Sequence, residues 1–167
     1  IAYLRLLFNR DDEISLLRIL NVPSRSIGQR SLQELLRWCQ QKGITVYEGL
    51  KHVSQTYGDN NLKPALTSRA IHAMTGFVTM LDDLITASHK INVVTLLEML
   101  LEKLQYQKYL RQTFDSPEER WENIMELRAV AQEFHDHSPP DGLIMLLERM
   151  ALVSDIDDYD EQSDAFT

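Results

Sequence analysis

Apolar residues recur at three- and four-residue intervals along almost the whole chain, the spacing of helices that each bury one stripe. Ala2, Leu4, Leu6, Leu7 and Phe8 open a short helix, which Asn9-Arg10-Asp11-Asp12 breaks. Asp12 caps a second helix over 13–20, with Ile14, Leu17 and Leu20 on one face and Leu16 beside them. Ser31 and Glu34 have capping-box spacing and predict a helix from Ser31 to about Gln41. Leu32, Leu35, Leu36 and Cys39 form its inward stripe, and Gly43 is its left-handed stop. A shorter helix over 46–56 and a polar loop at 57–61 follow. The longest helix spans 67–90, carrying Ile71, Met74, Val78, Leu81 and Ile85. The stretch 92–110 reads as one helix or two, with Leu96, Leu97, Leu100, Leu101 and Leu104 inward and Tyr106 and Tyr109 near its end. Ser116-Pro117-Glu118-Glu119 is a strong helix start, with proline at the first helical position. It leads into Trp121, Ile124, Leu127, Val130, Ala131 and Phe134, and Pro139-Pro140 ends that run. A last helix over 141–152 presents Leu143, Leu146, Leu147 and Met150, and the acidic segment after it is expected to be a loop.

The pattern predicts an all-α, compact domain of about seven to eight helices with its termini close together. A length of 167 residues suits one such domain, and 44% hydrophobic residues suffice for a core. The lone Cys39 excludes a disulfide framework and fits a reducing, cytoplasmic setting. No apolar run approaches about 18 residues, so no membrane span is expected. The opening Ile1-Ala2-Tyr3-Leu4-Arg5 and the abrupt end at Ala165-Phe166-Thr167 read as a piece cut from a longer protein. A net charge of −8 argues against a chain that binds nucleic acid over its whole surface. The charge is uneven, however. Residues 1–54 hold eight lysines and arginines against five acids, whereas Asp155, Asp157, Asp158, Asp160, Glu161 and Asp164 crowd the other end. A small basic corner in the first third therefore survives the global repulsion.

That corner contains the most informative local sequence, Asn21-Val22-Pro23-Ser24-Arg25-Ser26-Ile27-Gly28-Gln29-Arg30-Ser31-Leu32. A proline turn followed by an Ile-Gly step and a new helix aims backbone N–H groups outward, where a phosphate can accept them. Arg25 and Arg30 flank the turn; Asn21 buttresses it and Pro23 sets its entry angle. The candidate DNA-binding residues are Arg25, Ser26, Ile27, Gly28, Gln29, Arg30 and Ser31, holding the backbone with no base readout. An ordinary helix-turn-helix corner is the plain alternative. Arg18, Arg37 and Lys42 are better read as solvated helix residues, and Arg120 as the partner of a carboxylate such as Glu126 or Asp12.

Three blocks carry a family resemblance. The first is Ala2-Tyr3-Leu4-Arg5-Leu6-Leu7 with Asn9 and Asp11-Asp12, then Leu17-Arg18-Ile19-Leu20-Asn21-Val22-Pro23. The second is the turn at 25–32. The third is Glu119-Arg120-x-x-Asn123-x-x-Glu126-Leu127, followed by Ala131, Phe134, Leu143, Leu146-Leu147 and Ala151-Leu152. Together they resemble the UvrD/PcrA/Rep family of superfamily 1 DNA helicases, whose turn has the form Asn-x-Pro-x-Arg-Gly-Ile-Gly-x-x-Thr/Ser-Leu. The middle, 55–112, matches only as generic amphipathic helix. The resemblance implies the helical insertion called the 2B subdomain, here 1–164, with 165–167 starting the strand that returns to a parent RecA-like domain. It implies a noncatalytic, regulatory role in contacting duplex DNA at a fork or junction, within a bacterial ATP-dependent 3′-to-5′ helicase of repair or replication. Partners would be that duplex, the parent RecA-like domains and further proteins. Ser26 stands where the family has its first glycine, and a left-handed backbone there would strain it.

The chemistry that the chain lacks narrows the reading. It has no Gly-x-x-x-x-Gly-Lys-Ser/Thr loop, so ATP and Mg binding are expected in the parent and no cofactor in this segment. His135-Asp136-His137 is a fraying helix end and not a metal site, and Asp155-Ile156-Asp157-Asp158 lacks the glycine and glutamate of a calcium loop. Trp38 and Trp121 have the spacing of core residues. The alternative function is a helical protein–protein interaction module.

Overall fold

The structure, a computed structural model, describes residues 1–55 and 64–164, with backbone only from 153 onward. The described residues form nine helices and no strand: α1 (Ala2–Phe8), α2 (Glu13–Ile19), α3 (Gln29–Lys42), α4 (Val46–Gln55), α5 (Ser68–Ser88), α6 (Val93–Lys103), α7 (Tyr106–Thr113), α8 (Pro117–Gln132) and α9 (Pro139–Asp164). This is the expected all-α class with one helix more than the upper count. The long α5 is the central post, packing against α1, α4, α6 and α9, and α1 also lies on α9. The expected polar loop at 57–61 and the strand start at 165–167 lie outside the described residues.

Local signals set most boundaries. The Asp12 carboxylate accepts from the Ser15 amide at 3.0 Å, and Thr67 and Asn92 cap α5 and α6 in the same way. Gly43 ends α3 at φ 65°, ψ 34°, where a Cβ is disfavoured. The stretch 92–110 is two helices, parted at Gln105, whose φ of 47° interrupts the helical path.

Four expectations need correction. Helix α3 begins at Gln29 with Gly28 as its N-cap, so Ser31 lies inside the first turn and makes no capping box; Glu34 instead pairs with Arg37 at 2.9 Å. Burial of Ile27, 5% exposed, fixes where the chain enters the helix and overrides the local capping preference. In α2 the buried side chains are Ser15, Leu16 and Ile19, followed by Leu20, and Ile14 is 76% exposed. Steps of three drift around a helix, whereas 16, 19 and 20 share a tighter arc. The acidic segment is helical, because α9 runs to Asp164. A run of acids is not a stop signal: each Asp costs only about 0.7 kcal/mol or less relative to alanine, and no Pro or Gly intervenes after Gly142. Finally, Arg120 stacks over Phe114, 3.9 Å from the ring centre, and pairs with neither expected carboxylate.

One core joins α1 to α9 through Leu4, Leu6, Leu16, Leu35, Leu50, Met74, Phe77, Leu81, Leu96 and Leu146, all essentially inaccessible. Helices α7 and α8 contribute least: each buries one residue, Leu110 and Ala131, and Trp121 of α8, like Trp38 in α3, is half-buried. A polar clamp closes the α4–α5 seam, where Tyr47 donates its hydroxyl proton to Asp82 and Lys51 pairs with the same carboxylate.

Two buried acids predict an alkaline limit. Desolvation pushes the Cys39 thiol from 9.0 to about 11. Burial first, and then the hydrogen bond to Asp82, pushes Tyr47 from 10.0 to about 12. Both groups lose their protons more readily in the unfolded chain, so the stability they lend is complete below pH 9 and falls as pH rises from 9 to 12. Urea midpoints measured between pH 7 and 11 should hold steady to about pH 9 and then drop; a flat profile would contradict the burial of both groups.

Candidate nucleic-acid interface

The turn at 21–31 is built from within. After α2 ends, the Asn21 side-chain oxygen accepts from the Arg25 amide at 2.8 Å and the Ile27 amide at 3.3 Å. This side chain stands in for backbone acceptors and folds the chain over itself, the buttressing role expected of it. The Val22–Pro23 peptide is cis. Ile27 drops into the core, and Gly28 then adopts an extended conformation and starts α3.

Arg25 faces inward. Its Nη1 donates to the carbonyls of Ile19 at 2.9 Å, Leu20 at 3.1 Å and Pro23 at 3.2 Å. Its Nη2 donates to the Tyr3 hydroxyl at 2.5 Å, which donates in turn to the Val22 carbonyl at 2.5 Å. The guanidinium also lies over the Phe77 ring, 4.9 Å from its centre. The last carbonyls of α2 carry its negative dipole end, so the cation meets the Leu20 acceptor, shares that of Ile19 with the Val22 amide, and sits in a favourable field. Burial raises the Tyr3 pKa despite the opposing Arg25 charge, keeping its hydroxyl a donor.

The sequence-derived residues therefore divide. Arg25 and Ile27 anchor the turn, whereas Gly28, Gln29 and Arg30 are exposed and Ser31 is half-exposed. Leu32 is the first residue of α3 to donate backward, to Gly28 at 3.1 Å, and no side chain caps the helix. The amides of Gln29, Arg30 and Ser31 thus have no acceptor among the described residues, and Arg30 has no ion pair there. Ser26 takes φ 62°, the left-handed region that its substitution for glycine makes costly. Its hydroxyl accepts from Arg69 Nη2 at 2.8 Å. The charge pattern of the first third could not point to Arg69, which arrives from the start of α5, 43 residues away. A groove bounded by Arg30, Ser31 and Glu34 on one side and 64–67 on the other joins α3 to the approach of α5.

Elsewhere, His135 spends its ring nitrogens on the Gln132 carbonyl and Asp136, each at 3.0 Å. Among the described residues, no helix is long and apolar enough to cross a membrane.

Comparison with known proteins adds context to this geometry. The family model of the UvrD-like helicase C-terminal domain matches residues 1–165. The chain is 29% identical over 165 residues to the ATP-dependent DNA helicase PcrA of Bacillus subtilis, covering 98% of this chain and 21% of that protein. It is 34% identical over 176 residues to the ATP-dependent DNA helicase UvrD1 of Mycobacterium bovis, covering 96% of this chain and 22% of that one. PcrA of Leuconostoc citreum is 29% identical over 173 residues, covering 99% and 22%. The chain thus spans about a fifth of the length of the curated relatives it matches.

Proposed function

This chain belongs to the UvrD-like helicase C-terminal domain family, and from that premise we propose that it is a noncatalytic 2B-type subdomain of an ATP-dependent 3′-to-5′ DNA helicase. In this reading residues 1–164 are the helical insertion. The turn at 25–31 holds the backbone of duplex DNA at a fork or junction, while ATP and Mg are handled by RecA-like domains elsewhere in the parent. Gripping or releasing the duplex would regulate unwinding. A bacterial cytoplasmic, DNA-associated location goes with this role.

The observation that carries the proposal is the exposed start of α3. Three amides without acceptors among the described residues, a positive helix end and the unpaired Arg30 share one surface. Backbone amides and a helix end suit phosphate oxygens, so binding should be indifferent to sequence. Two or three phosphate contacts give a shallow salt dependence, about 0.9 per contact in log–log terms. The test replaces Arg30 with alanine in the full-length protein. The slope of log affinity for a blunt duplex against log salt should fall by about 0.9, with single-strand binding unchanged. An unchanged slope would sink the duplex reading.

One observation favours the alternative, a protein–protein interaction module. Half-buried Trp121 and exposed Met125 line a groove with Leu101 and Tyr106 between α6, α7 and α8. That reading expects no duplex binding through this segment even at low salt, and a protein partner whose capture is lost in Trp121→Ala.

A further inference from the structure

We propose that Arg69, at the start of α5, is a second phosphate-binding arginine of the turn, held in place by Ser26. The inference rests on the duplex reading above and deepens it. Its basis is a long-range contact: Arg69 Nη2 donates to Ser26 Oγ at 2.8 Å, and both side chains are exposed. Arg69 has no carboxylate within ion-pair distance among the described residues, so its charge is not neutralised locally. Among the described residues, the one acidic side chain lining the adjoining groove, Glu34, is engaged by Arg37.

Among the described residues the Arg69 guanidinium makes one hydrogen bond, through one of five donors, which leaves the remaining fork for an anion. Ser26 holds a left-handed backbone that disfavours a Cβ, yet its hydroxyl is the group that Arg69 reaches. A glycine there would relax the backbone and offer no hydroxyl. The serine thus exchanges a relaxed turn for a positioned cation. Arg30 lines the groove between α3 and the approach to α5, and Arg69 is tied to Ser26, four residues before Arg30 in the same turn. Two arginines at one turn suit the phosphates of a nucleic-acid backbone.

The experiment measures blunt-duplex and single-strand affinity of the full-length protein, without nucleotide, from low to moderate salt. The proteins are wild type, Arg69→Ala, Arg69→Lys and Arg30→Ala. Arg69→Ala should lower the duplex slope by about 0.9, and Arg69→Lys should restore it because the charge is kept. A residue that merely supported the turn would weaken binding without changing the number of counterions released, so the slope separates contact from support. If Arg30→Ala lowers the slope and Arg69→Ala does not, the Arg69 inference is overturned and the duplex reading stands. If neither changes the slope, both fail. Equal losses on duplex and single strand would also overturn the inference, by assigning Arg69 to general charge.

Discussion

Arg25→Ala is expected to destabilise the domain by about 2–3 kcal/mol and to abolish duplex contact by the turn, because the Arg25 guanidinium is directed into the turn that it holds together. The mutation leaves the carbonyls of Leu20 and Pro23 without a donor among the described residues, leaves that of Ile19 with the Val22 amide alone, and removes the donor to the Tyr3 hydroxyl oxygen. Hydrogen bonds to a charged group are worth about 1.5–3 kcal/mol each where water is excluded. Arg25 is only half-buried, so water compensates in part and the lower end of the summed effect applies. The contact with the Phe77 face adds about 1 kcal/mol. Arg25→Lys should recover little, because one ammonium cannot reach three carbonyls and a hydroxyl in a plane. Urea unfolding and duplex titration of the two variants check this together. If Arg25→Ala lowered the salt slope by about 0.9 with stability unchanged, the guanidinium would face the phosphates and the inward geometry would be wrong.

Gly49→Ala should cost about 1–2 kcal/mol, against the gain that alanine normally brings to a helix interior. A Cβ at position 49 would lie 2.2 Å from the Cys39 Sγ, while Leu35 and Trp38 are at ordinary contact distances of 3.5 and 3.8 Å. Cys39 is 3% exposed and has little room to turn away. Overpacking of this kind costs about 1–3 kcal/mol, and the alanine preference returns only about 0.5–1 kcal/mol. The collision is with one side-chain atom, so Cys39→Ala should relieve it. The double variant should then be more stable than Gly49→Ala alone, with a coupling on the order of 1 kcal/mol in a double-mutant cycle. Additive losses would mean that α3 and α4 are not in that close register.

What could be read in advance was what local chemistry decides. Asp12, Gly43, Thr67 and Pro117 mark helix ends through bonds or dihedrals spanning a few residues, and each sits where expected. Asn21 belongs with them, since its partners are four and six residues away. The orientation of Arg25 was not legible, because Tyr3 and Phe77 lie 22 and 52 positions away and nothing in the turn announces them. The same holds for Arg69, and for Ile14, whose apolar character gives no hint of the neighbours it lacks. The acidic tail misled for a different reason: charge density speaks of solvent exposure, which a helix satisfies as well as a loop does. Family membership was legible because it rests on order and spacing within three blocks toward the two ends of the chain, which needs no knowledge of contacts.

The way Arg25 reaches Tyr3 and Phe77 also bears on how freely the turn can be exchanged. A loop held by its own residues can be transplanted between scaffolds by copying those residues. This one takes its shape from a tyrosine on the first helix and a phenylalanine midway along the fifth. A chimera carrying only 21–31 would bring an arginine without a socket, whereas one that also carried positions 3 and 77 would bring the socket along. Substitutions at positions 3, 25 and 77 should therefore couple to one another, whereas Arg30, which has no ion pair among the described residues, should change without disturbing them.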